Sequence, residues 1–246
     1  LDGTGNGSIT AGQVDNSSTD NCTIASKVLS KTTFDCTNNG PNTVTMVVTD
    51  NTGNTKSCTS IITVVDTIKP NALCQNVTLN LDATGAATLT TGLVDNSSTD
   101  NCSITSRVLS KTSFACNNVG LNTVNMVVTD NSGNTKSCTS NVTVVDTISP
   151  VALCKNVTLN LDGTGNGTLT VGMVDNGSSD ACGINTQVLS QTAFDCSHLG
   201  ANAVSMIVTD NNGNDMSCSS TVTVVDTIKP TALCQNLTLN LDGTGH

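Results

Sequence analysis

Apolar and polar residues alternate along most of this chain. In "TVNMVVTD" (residues 123–130) Val124, Met126 and Val128 fall on one face, and in "SCTSNVTVV" (residues 137–145) Cys138, Val142 and Val144 lie opposite Thr139, Asn141 and Thr143. A period of two is that of a half-buried strand. Between these stretches stands "DNSGN", a Gly-bearing hairpin turn, so the two strands are expected to pair directly. Upstream, "LCQNVTLNL" (residues 73–81) and "ATLTTGLV" (residues 87–94) read as two more strands. "SITSRVLS" (residues 103–110) and a short segment near Phe114 complete a sandwich. No segment carries a helical stripe. In the first strand Cys74 shares its parity with Asn76 and Thr78 rather than with Val77 and Leu79, so either the Cys faces outward or a bulge swaps the face; the bulge is preferred.

The pattern returns every eighty residues. "VVDTIKPNALCQNVTLNLD" from Val64 recurs as "VVDTISPVALCKNVTLNLD" from Val144 and "VVDTIKPTALCQNLTLNLD" from Val224, and residues 1–80, 81–160 and 161–240 superpose without a gap. Eighty residues is long enough for a small domain with its own core and too long for a solenoid repeat. "VVD" then ends one domain, "TIKP" is a linker of about four residues stiffened by Pro70, Pro150 or Pro230, and "ALCQNVTLNLD" opens the next. The expected architecture is all-β: tandem immunoglobulin-like β-sandwiches placed end to end. Residues 1–70 form a repeat without its first strand, 71–150 and 151–230 are complete repeats, and 231–246 is the first strand of another.

Composition agrees. All nineteen acidic residues are Asp, which favours turns over helices, and Trp and Tyr are absent. A net charge of −10 argues against nucleic acid and anionic membrane surfaces. No apolar run approaches the ~18 residues of a bilayer span. The absence of an initiating Met or signal peptide suggests an excerpt from something longer. His246 reads as the start of a purification tag.

Twelve cysteines test the division. No CxxC pair occurs and His198 is the one internal His, so disulfides are expected rather than zinc. The middle repeat holds Cys74, Cys102, Cys116 and Cys138, which allow three pairings. Cys102 and Cys116 bracket a local loop, and Cys74 on the first strand can meet Cys138 on the last; that combination is the preferred one. Cys22 and Cys36, Cys154 and Cys218, and Cys182 and Cys196 occupy the same places in the other copies. Cys58 has no partner within 1–70, and Cys234 stands alone on 231–246: a cut at an arbitrary phase, or a tail that completes the first repeat of another molecule by strand donation. Such cysteine usage implies an extracellular or cell-surface location.

The stretch "NTVTMVVTDNTGNTKSCTSIITVVDTIKPNALC" (residues 42–74) resembles hyalin-type and related immunoglobulin-like repeats of secreted and surface proteins of Bacteroidota, including the large gliding and attachment adhesins exported by the type IX route. The resemblance covers the whole chain. It implies a sandwich extender in a surface adhesin or filament, with two disulfides per repeat and no catalysis.

Loop positions suggest a cation. If the strand order is as read, Asp2, Asp66, Asp95, Asp100 and Asp130 converge on one junction with Asn134 beside them, and Asp82, Asp146, Asp175, Asp180 and Asp210 on the next. Hard oxygen ligands suit Ca²⁺, although turns also favour Asp for their own reasons. "Asp-Thr-Ile" in each linker resembles the Bacteroidota O-glycosylation pattern, with Thr67, Thr147 and Thr227 as acceptors. Catalysis has no support: the thiols are expected to be oxidised, and no base stands beside a nucleophile. Two functions follow. One is a stiff spacer or filament shaft, each domain adding roughly 35 to 45 Å, with neighbouring repeats or other copies as partners. The other is a ligand- or surface-binding adhesive module.

Overall fold

The computed structural model describes residues 1–240, 243 and 244; His246, and with it the tag reading, lies outside them, as do Leu241, Asp242 and Gly245 of the stretch expected as a further strand. The chain is all-β and divides into two compact units, Leu1–Asp146 and Thr147–His246.

The middle copy shows the pattern most fully. Strands Gly120–Asp130 and Thr135–Val145 form the expected hairpin, with Met126 opposite Cys138. Strand Ile104–Leu109 pairs on the outer side of the first, and Val77–Asn80 runs parallel to the second, giving a four-stranded sheet. The facing layer is a two-stranded pair, Ala86–Thr88 with Ser113–Ala115. Between them lie Val124, Met126, Val128, Val142, Val144, Leu79, Leu89 and Phe114, all buried. Alternation places these side chains inward because successive Cβ atoms point to opposite faces. The third copy repeats the arrangement in the second unit, with Val157–Asn160, Asp215–Val225, Gly200–Asp210 and Ile184–Leu189 in one sheet around Val204, Met206, Val208 and Val222. In the first copy the sheet has three strands, Ile24–Leu29, Gly40–Asp50 and Thr55–Val64.

Two local expectations change. Residues 87–94 are not one strand: after Thr88 the chain makes a single helical turn, Thr91–Val94, closed by the Asp95 N–H on the Thr91 carbonyl (2.8 Å). Leu89 and Val94 are five apart and would face opposite ways on a strand, whereas the turn brings both into the core at 1% and 0% exposure. Residues 73–81 are likewise two pieces. Asn71 and Cys74 bridge to Thr99 and Asp95, and from Val77 the chain crosses to the other sheet. The parity change assigned to a bulge occurs at this crossing, where Gln75 and Asn76 are both exposed.

Candidate interdomain clamp and cation centre

The cysteines divide the repeats differently from the local scheme. Cys74 is bonded to Cys138 and Cys154 to Cys218. Cys102, however, is bonded to Cys36 of the preceding copy and not to Cys116. The reason is the length of the sandwich. Cys102 precedes the strand that begins opposite Asp130, while Cys116 follows Phe114 near the end where Gly120 pairs with Val144. An eleven-residue strand separates those ends, about 30 Å at ~3.3 Å per residue, far beyond disulfide reach. Cys22 and Cys196 are free and exposed, so the equivalent local pairs with Cys36 and Cys182 do not form; Cys58 and Cys234 are also free and exposed.

The loops at this junction are shaped for the bond. Cys36 opens a short 3-10 turn, Cys36–Asn38, capped by Asp35, whose carboxylate accepts from the Thr37 N–H (2.9 Å) and the Thr37 hydroxyl (2.5 Å). The same two bonds, the hydroxyl first, lower the Asp35 pKa. Beside it the turn at Asp2 brings Gly5 against the bridge at φ +76°; a Cβ there would sit 2.6 Å from Cys36 Sγ and 2.7 Å from the Asn101 carbonyl oxygen. Only glycine fits both the backbone angle and the space.

Next to the disulfide lie three carboxylates. Asp66, Asp100 and Asp130 each offer an oxygen within 4.8 Å of the others. Asp66 and Asp130 are 3% and 2% exposed. Asp130 stands at the base of its hairpin turn and accepts from the Ser132 and Asn134 N–H groups (both 2.8 Å). Asn134 in turn donates from Nδ2 to the Asp66 carbonyl (3.0 Å) and the Ile68 carbonyl (3.2 Å), tying the linker to the hairpin. Asn101 Nδ2 donates to Asp66 Oδ1 (3.2 Å) and to the Asp2 carbonyl (3.3 Å). Asp100 Oδ2 accepts from the Cys102 N–H (2.9 Å). Two oxygens are left over: Asp100 Oδ1 and Asn101 Oδ1 are buried without a hydrogen-bond partner. Among the described residues no Lys or Arg pairs with any of these three carboxylates. Three carboxylates this close, two of them buried and one half-buried, repel one another.

The other acidic residues expected here are engaged elsewhere. Asp2 turns its carboxylate into its own loop, accepting from the Asn6 and Thr4 N–H groups and the Thr4 hydroxyl; these bonds lower its pKa, Asn6 contributing most. Asp95 pairs with Arg107 (2.9 Å) and accepts from Ser98 N–H; although burial is the largest single influence and opposes it, the net shift of its pKa is downward. In the second set, Asp82 closes the turn at Thr84 and Ala86, and Asp175 accepts from Ser178. Asp146 ends the first unit, whereas Asp180 and Asp210 belong to the second, where Asp210 accepts from the Asn212 and Asn214 N–H groups. Asn101, which was not among the expected site residues, links Asp66 to the loop of Asp2; the third copy has Ala181 at the equivalent place, so the repeat pattern gives no hint of that role. Thr67, Thr147 and Thr227 are exposed.

Sandwich repeats stapled by disulfides place the chain in an extracellular or cell-surface setting. Among the described residues no helix is long and apolar enough to cross a membrane. No protein-family profile matches the chain. It is similar to hyalin of Strongylocentrotus purpuratus, 33% identical over 215 residues, which supports a hyalin-type repeat; the match takes in 80% of this chain and 17% of hyalin, so the chain spans about a sixth of that relative. Among solved structures it is similar to mouse cadherin-23 EC22-24 (14% identity, 79% of this chain and 78% of that one, TM-score 0.36) and to protocadherin gamma B7 extracellular cadherin domains 1-4 (12%, 78% and 59%, TM-score 0.33).

Proposed function

We propose that this chain is a run of extender repeats, 71–150 and 151–230 being complete ones, whose role is to hold parts of an extracellular surface protein apart at a defined spacing rather than to catalyse. The observation that carries this is the Cys36–Cys102 bond, which runs from one repeat into the next and turns a four-residue linker into a covalent hinge-stop. A binding module gains nothing from fixing its neighbour, whereas a spacer transmits force and direction only if its joints are stiff. Small-angle scattering before and after selective reduction tests it: loss of the bond should broaden the distance distribution of the first unit, and an unchanged distribution would count against the reading. The narrower placement of the parent among type IX adhesins of Bacteroidota rests on the sequence resemblance alone.

A second element concerns the junction carboxylates. Asp66, Asp100 and Asp130, with Asn101 Oδ1, present oxygen only, and two ligands on opposite sides of a calcium ion at about 2.4 Å are ~4.8 Å apart. The spacing, the oxygen chemistry and the two orphaned oxygens fit Ca²⁺. Bound there, the ion offsets two of the three negative charges and stiffens the linker that Asp66 begins. Calorimetric titration with Ca²⁺ should show binding that Asp100→Asn weakens and that chelation reverses; melting that is indifferent to chelator would remove the ion from the proposal. The Thr67, Thr147 and Thr227 hydroxyls are accessible for O-glycosylation, which an intact mass on native material would read.

A further inference from the structure

Each repeat turns the same apolar row to solvent. In the middle copy Val108 and Val127 stand directly opposite each other on the outer face of the four-stranded sheet, with Ser137 next in the row. The two valines are 59% and 40% exposed. The first copy repeats the row with Val28, Val47 and Ser57, its valines 59% and 37% exposed. The third has Val188, Ile207 and Ser217, the apolar pair 58% and 47% exposed. Alternation sets the outward direction, because the neighbours Leu109, Met126 and Val128 are the ones that fill the core. A single exposed valine is ordinary. Here an apolar pair keeps one register in all three copies, while the outward position six residues earlier on the same strand reads Pro41, Leu121 and Ala201.

The ground around the pair carries almost no charge. In the middle copy the outward positions of Gly120–Asp130, Thr135–Val145 and Val77–Asn80 are Thr, Ser, Asn, Leu and Val. Across the hairpin Asn125 Oδ1 accepts from the Thr139 hydroxyl (2.9 Å). Lys136 and Arg107 take the opposite parity, and Arg107 turns to Asp95. Among the described residues Asp215, at a strand end of the third copy, is the one charged group at an outward position of these sheets. The net charge of −10 therefore lies almost wholly off this face.

We propose that this face is where two copies of the chain meet, sheet on sheet, with the Val108–Val127 row and its counterparts at the centre of each contact. The occupant is argued from charge and from area. Chains of the same sign repel wherever their acidic surfaces approach, and the uncharged face is the approach that avoids this. Four strands at ~4.8 Å spacing and about 30 Å long offer roughly 500–600 Å². A stable pair needs ~800 Å² per partner, so one repeat holds its partner weakly and repetition of the face supplies the rest through linked contacts. The contact uses neither the Cys36–Cys102 bond nor a cation, so it goes beyond the spacer reading and stands or falls separately from it.

Sedimentation velocity of the chain of residues 1–246, with its free thiols alkylated and chelator present, tests this. A concentration-dependent rise in mass is expected, and added sodium chloride should strengthen it by screening the repulsion between the net charges. Val28→Lys, Val108→Lys and Val188→Lys, combined one after another, should each lower the association constant by roughly tenfold. Threonine at the same three positions keeps a branched, strand-favouring side chain, and should weaken association while the melting temperature stays in place. Val151→Lys, at a site 57% exposed and outside the face, should change nothing. A chain that is monomeric at every concentration, association that salt weakens, or association that survives the triple lysine variant would each overturn the proposal. So would threonine variants that melt earlier yet associate as before, since the valines would then serve the strands alone. None of these outcomes touches the scattering test of the joint.

Discussion

Residues 1–65 and 81–145 are close copies, yet the structure treats them unequally. Val128 is fully buried and its counterpart Val48 only half so; Ser140 is fully buried and Ser60 is not; Asp130 lies under a linker and Asp50 does not. None of these differences comes from the residues themselves. In the second copy residues 71–81 cover one side and the linker at Asp66 and Ile68 caps the pole. The core of the middle repeat is thus completed by the segment directly upstream of it.

The largest effect expected along this contrast comes from cutting the joint. Replacing Cys36 and Cys102 by Ala removes a closed loop of 66 residues, worth about 4 kcal/mol on the chain-entropy account. Calorimetry should show the first unit melting well below the wild type while the second keeps its transition. If both stay in place, the bond constrains nothing.

Next is a direct comparison of the two valines. Val128→Thr puts a hydroxyl into a closed core and should cost roughly 1–3 kcal/mol, whereas Val48→Thr, beside an open cleft, should cost less than about 1. Equal losses in chemical denaturation would mean that the two cores are alike in solution.

The smallest effect is a dependence on pH. Asn54 and Thr52 hold the Asp50 carboxylate to a pKa of about 2, and Lys27, with Ser18, does the same for Asp15. Folded values below the unfolded one of about 3.9 mean a contribution fully present above that pH and lost as pH falls through about 2. Stability of the first copy should therefore be flat from neutrality to about pH 5 and decline below 4, with a shallower decline in Asp50→Asn. An equally steep decline in that variant would assign the acid sensitivity to other groups.

How much of this could be read from the sequence differs by element. The hairpin of residues 120–145 is written in its alternation, and Phe34, Phe114 and Phe194 announce themselves as core because nothing else in the composition is aromatic. The helical turn at Thr91–Val94 is hidden, since Thr, Gly, Leu and Val suit a strand equally and only the need to bury both Leu89 and Val94 decides. The clamp is hidden for another reason. Cys102 and Cys116 are close in sequence and a sandwich apart in space, so the pairing depends on which pole each loop occupies, a property of topology that no local spacing carries. Asp66, Asp100 and Asp130 could be grouped once the pole was guessed. That Asp2 and Asp95 would turn away could not, because their partners Thr4, Asn6 and Arg107 compete for them at the level of individual rotamers.

The parallel pairing of Val77–Asn80 with Val142–Val145 has a mechanical corollary. Tension drawn through the repeat pulls its first and last strands in opposite directions along their common axis, so their hydrogen bonds are loaded in shear, all together, rather than peeled one after another. The Cys74–Cys138 bond lies just behind them, and the 64-residue separation it spans cannot be paid out as slack. Under load such a repeat behaves as a link of nearly fixed length until covalent bonds are reduced.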